Sequence, residues 1–174
     1  MKGAGRLAVS LALSGVLVCC ATVATGQTKT VGHVLDREAL KGLKTVILAV
    51  EDIPLEVQRQ GVTETAVRAD VELRLRQSGL RVVDLLQDAE GIISVSLDTL
   101  PGDDSALPSN YFYVLSFSLL EKVTLQRSGL PLSGRTYFRL RLGRQPTLRL
   151  GELREALRGV ADEFCNDYLA ANSQ

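Results

Sequence analysis

The stretch that most limits how this chain folds is Lys44 to Ile53, KTVILAVEDI, whose middle is wholly apolar and rich in β-branched residues. Such a run suits a strand covered, or nearly covered, on both faces. Pro54 ends it. Thr63 is placed as an N-cap with Glu64 in the first helical turn. Val67, Val71 and Leu75 then recur every four residues, widened by Ala66 and Leu73, while Arg68, Asp70, Glu72, Arg74 and Arg76 take the other positions. That periodicity predicts an amphipathic helix. Ser78-Gly79-Leu80 closes it in the manner of a Schellman motif. Arg81 to Asp84 follows as a short strand, able to pair in parallel with the first through a right-handed crossover.

The remainder alternates with period two. In Gly91 to Leu100, Ile93, Val95 and Leu97 oppose Ser94, Ser96 and Asp98, as in a half-buried strand. A loop from Pro101 to Asn110 leads into Tyr111 to Arg127, where Tyr113, Leu115, Phe117 and Leu119 share a face. Glu121 falls in the same register, which a bulge near Leu120 would resolve. Ser128-Gly129 and Ser133-Gly134 bracket a hairpin loop. In Arg135 to Leu142, Phe138, Leu140 and Leu142 oppose Tyr137, Arg139 and Arg141. A final helix from about Leu150 to Ala171 presents Leu153, Leu157, Val160, Phe164 and Tyr168 as one stripe. The expected fold is α+β: a two-layer sandwich of order β-α-β-β-β-β-α, with a mainly antiparallel sheet of about five strands and two helices on one face.

The first residues point outside the cytoplasm. Lys2 and Arg6 precede the uncharged run Leu7 to Val18, and small residues follow through Gly26. This is the pattern of a secretory signal peptide, about a dozen apolar residues being short for a membrane span. Cleavage is placed between 21 and 26, after Ala21, Ala24 or Gly26. Leu17-Val18-Cys19-Cys20 nearly forms a lipobox, so lipidation of Cys20 stays open; Cys19 stands where Gly, Ala or Ser is usual. The expected organisation is a signal peptide over 1–26, a flexible arm over 27–40 and a single α/β domain over 41–174. No transmembrane segment is expected after leader removal.

Charge and chemistry narrow the function. The chain has 20 basic and 20 acidic residues, and losing Lys2 and Arg6 with the leader leaves two net negative charges. That argues against a nucleic-acid partner. Cys165 would be the last cysteine of the mature chain, expected as a buried thiol beside the final helix's stripe. His33 is the one histidine and precedes the first strand, poorly placed as a rigid catalytic base. Glu51 and Asp52 are adjacent in a strand and point to opposite faces. Asp103-Asp104 reads as a solvated turn. No catalytic residue, metal ligand or cofactor site is expected. The candidate binding residues are Arg135, Tyr137, Arg139 and Arg141, read as one outward face suited to carboxylates or phosphates.

Val71-Glu72-Leu73 before Gly79-Leu80-Arg81-Val82-Val83, then Val123-Thr124-Leu125-Gln126-Arg127, and the ending Phe164-Cys165-Asn166-Asp167-Tyr168-Leu169-Ala170-Ala171-Asn172, resemble a group of small exported bacterial α/β proteins of unknown function. The helix followed by Val82-Val83 is also similar, more distantly, to periplasmic domains of envelope lipoproteins such as those of curli and flagellar assembly. The expectation is a non-catalytic exported protein of the periplasm or cell exterior, binding or scaffolding an envelope protein or an anionic ligand. The alternative is a periplasmic protein that holds a small ligand or lipid between sheet and helices, beside Phe117, Phe138 and Phe164.

Overall fold

A computed structural model describes residues 37–173. The leader, Cys19, Cys20 and His33 lie outside the described residues. The first strand, β1 (Thr45–Val50), is followed by a single helical turn, α1 (Leu55–Gln58), and by α2 (Glu64–Gln77). Then come β2 (Arg81–Val82), β3 (Gly91–Pro101), β4 (Asn110–Thr124), β5 (Pro131–Pro146) and α3 (Leu153–Asn172). Short 3₁₀ turns occupy Leu86–Asp88 and Thr147–Glu152. The five strands form one sheet in the order β2-β1-β3-β4-β5. β1 runs parallel to both β2 and β3, whereas β3, β4 and β5 form an antiparallel meander. The α+β sandwich expected from the sequence is the fold observed.

Local signals explain the helices. Thr63 Oγ1 accepts a hydrogen bond from the Ala66 amide, satisfying an N–H with no intrahelical partner. Val67, Val71 and Leu75 are buried. Leu73, expected to widen that stripe, is exposed instead, because it lies halfway between Val71 and Leu75 on the opposite side of the helix. At the C-terminus Gly79 has φ +96°, the Leu80 amide donates to Leu75 O over 3.0 Å, and Leu80 folds into the core. The stripe Leu153, Leu157, Val160, Phe164 and Tyr168 of α3 is buried throughout.

Both helices cover one face of the sheet. Val46, Leu48, Ile93, Val95, Leu97, Leu115, Phe117 and Leu119 point toward them and join their stripes in a single core. Arg154 and Arg158 of α3 both reach Asp70 of α2, at 2.6 and 3.0 Å, and tie the helices together. Cys165 is free and buried, as expected. The expected arm over 27–40 ends in packed structure: Leu40 is fully buried, and Arg37 bonds Asp167 of α3 at 2.8 Å. Ser133-Gly134, expected in the hairpin loop, lie within β5, and the turn spans Leu125 to Leu130. Among the described residues no helix is long and apolar enough to cross a membrane.

β1 departs from its sequence pattern. Val46 and Leu48 are buried, but Ile47 and Ala49, on the other side, are only half-buried. The sheet's second face carries no layer among the described residues. The composition of a strand covered on both faces is therefore present without the second cover.

Candidate functional site

The four residues expected to share an outward face do not share one. A bulge lies where expected, between Leu119 and Leu120, but its extra residue is Thr136 of β5: Leu119 pairs with Tyr137 and Leu120 with Arg135. Thr136 donates its hydroxyl hydrogen to Glu121, which satisfies the carboxylate that broke the apolar register. One added residue turns Arg135 away from its neighbours, because side chains alternate between faces. Arg135 lies over the Phe138 ring on the uncovered face, 4.5 Å from its centroid.

The other three point under α3. Tyr137 is 1 % exposed and Arg139 9 %. Tyr137 donates its phenol hydrogen to Asp167 Oδ2 at 3.0 Å, and Arg139 Nη2 donates to the same oxygen at 2.7 Å. Burial pushes the Asp167 carboxyl up, but the bonds from Arg37, Arg139 and Tyr137 outweigh it and hold it below the usual range. Burial also pushes the Tyr137 phenol well above its ordinary value. Arg141 pairs with Glu163 and crosses α3 at Gly159, where a Cβ would come within 3.1 Å of Arg141 Nη1. These guanidiniums serve the helix–sheet junction, and the predicted outward anion site is replaced by an internal clasp.

The predicted ligand space between the layers is also corrected. Phe117 and Phe164 pack with ring centroids 5.0 Å apart, and Tyr137 stands edge-on to Phe164 at the same separation. Phe138 lies across the sheet from them, opposite Ser118. One member of each acidic pair has a structural role. Asp103 accepts from the Ser105 and Ser109 amides and the Ser109 hydroxyl, while Glu51 accepts from Ser94. Tyr111 and Tyr113 pack against the core as half-buried residues.

The uncovered face is built by the strand positions that the core does not use. Ile47, Ile92, Leu120 and Arg135 form one cross-strand row; Ala49, Ser94, Ser118 and Phe138 form the next. Beyond them Ser96 and Ser116 share a 2.7 Å hydrogen bond, and Leu140 lies beside Ser116. The floor is therefore small and low, and β5 raises an apolar wall along it. Leu140 is 47 % exposed and Leu142 69 %. Phe112, also exposed, carries the Arg144 guanidinium 5.8 Å from its ring centroid.

At the other end of this face the segment between β2 and β3 projects Leu85 and Leu86, both more than half exposed. With Ala89, Ile92, Leu120 and Lys122 they line a half-open cleft of about 810 Å³. Sequence reasoning missed it: its residues come from the β2–β3 segment and from β3, β4 and β5, and a pair of leucines in a loop carries no periodic signal. Glu90, at its edge, accepts from the Lys44 and Thr45 amides, which hold its carboxyl below the usual range.

No protein-family model matches this sequence, and no curated protein matches it. Among solved structures, the chain is similar to a hypothetical protein from Chlamydia trachomatis, at 10 % identity and TM-score 0.46 over 75 % of this chain and 99 % of that one. It is similar to a PelC dodecamer from Paraburkholderia phytofirmans, at 10 % identity and TM-score 0.39 over 76 % of this chain and 89 % of that one. It is also similar to a minor lipoprotein from Acinetobacter baumannii, at 13 % identity and TM-score 0.34 over 72 % of this chain and 87 % of that one.

Proposed function

We propose that this chain is an exported, non-catalytic binding module of the bacterial envelope, and that it binds through the uncovered face of its sheet. The observation that carries this reading is the apolar wall of Phe138, Leu140 and Leu142 beside the low floor of Ser94, Ser96, Ser116 and Ser118. Exposed apolar side chains that are contiguous, rather than scattered, mark interaction sites. β1 supports it: its residues are those of a strand with cover on both sides, and one side has no covering layer among the described residues. Export rests on the leader pattern of Lys2, Arg6 and Leu7 to Val18.

The test is native mass spectrometry of the protein taken from its own host's envelope. The expected spectrum contains the leaderless chain with a bound second mass. Leu140→Ser together with Leu142→Ser removes that mass, and Leu148→Ser, an exposed leucine in the turn before α3, leaves it in place. A bound mass that survives the double variant refutes this face as the binding surface.

A further inference from the structure

We infer that the cleft beneath Leu85 and Leu86 binds the alkyl chain of a single-chain anionic amphiphile, with Lys122 holding its head. This deepens the proposed function, on which it rests, by naming a ligand class for one end of the same face. The volume of about 810 Å³ falls within the about 300–1,000 Å³ of small-molecule sites. Its walls are aliphatic: Leu85 and Leu86 from the loop, Ile92 from β3 and Leu120 from β4. These four carry no polar atom beyond the backbone and suit a hydrocarbon, while Gln87, Glu90, Glu121, Lys122 and Ser133 make up the polar part of the lining.

The charges at the rim set the head. Glu90 is committed to the Lys44 and Thr45 amides, and Glu121 to the Thr136 hydroxyl. Lys122 is exposed on the cleft's edge and makes no ion pair among the described residues. A carboxylate or phosphate head beside Lys122, with its tail under Leu85 and Leu86, places each part of an amphiphile against matching chemistry.

The experiment is calorimetric titration of the leaderless protein with octanoate, decanoate and dodecanoate, each below its micelle concentration. Affinity is expected to rise about fourfold per methylene while the tail still fits. Decyltrimethylammonium, of opposite charge, is expected to bind at least tenfold more weakly than decanoate. Lys122→Gln is expected to weaken decanoate about tenfold. Leu85→Ser with Leu86→Ser is expected to abolish binding, and because both leucines are exposed these variants keep the fold. Binding without chain-length dependence, binding indifferent to the leucine pair, or binding to anionic vesicles alone overturns the inference. So does the absence of binding to all three carboxylates. If that result accompanies an envelope-derived mass that depends on Leu140 and Leu142, the inference fails and the proposed function stands.

Discussion

Strand β5 sends different chemistry to its two sides. Toward α3 it sends Tyr137, Arg139 and Arg141; away from it, Phe138, Leu140 and Leu142. The polar side is the covered one. Alternation identifies which residues lie together, but it does not say which set faces inward. That choice belongs to the partner: α3 brings Asp167 and Glu163 over β5, and carboxylates there draw guanidiniums inward. On β4, where Phe164 waits above Phe117, the apolar set faces the helix and serines face out. Neighbouring strands thus apply opposite polarity to one sheet, and the apolar residues excluded from the core at β5 form the exposed wall.

Removing bulk from the covered side costs the most. Phe117→Ala is expected to cost about 3–5 kcal/mol in chemical denaturation, because the ring is fully buried against Phe164. Next is Asp167→Ala, which removes the acceptor shared by Arg139 and Tyr137 at a partly buried position. A loss of about 3 kcal/mol is expected in thermal unfolding. Arg139→Leu made in the Asp167→Ala background is expected to recover part of it, and the double variant gives the coupling between the two side chains.

A smaller effect is set by pH. Hydrogen bonding to Arg154 lowers the Asp70 carboxyl most; burial opposes this and Arg158 adds to it, leaving a pKa of about 2 against 3.8 for the free group. A folded value below the unfolded one gives stability that is present above pH 3.8 and lost as pH falls toward 2. Discounted for the half-exposed arginines, the loss is about 1–2 kcal/mol. Asp70→Asn is expected to flatten that part of the stability–pH curve. The smallest effect is on the bare side: Leu142→Ser is expected to change stability by less than about 0.5 kcal/mol while reducing binding of a hydrophobic dye.

What could be read from the chain in advance follows the range of each interaction. The Thr63 cap, the glycine stop at Gly79, the Val67, Val71 and Leu75 stripe of α2 and the stripe of α3 are settled within a few residues and appear as expected, while Leu73 turns out to solvent. The bulge was also legible, from the mismatch of Glu121, but not its placement on β5, since either strand of a pair can carry the extra residue. The facing of β5 was not legible, because Arg139 and Arg141 are decided by residues 28 and 22 positions later. The bare side of β1 was hidden for a related reason: an apolar run reports that cover is wanted and is silent on whether the same chain supplies it.

The docking of Arg37 and Leu40 against α3 has a topological consequence. The Gly42 amide donates to Asn172 Oδ1 at 2.7 Å, and Asn172 Nδ2 returns a bond to Leu40 O at 3.0 Å. The first and last stretches of the described residues thus touch, although Gly42 and Asn172 are 130 residues apart along the chain. A chain of this design can be cut elsewhere and rejoined. A circular permutant that links the region of Asn172 to that of Arg37 and opens at the Leu125–Leu130 turn keeps every strand neighbour. In it the long edge strand β5 becomes the first element to be made.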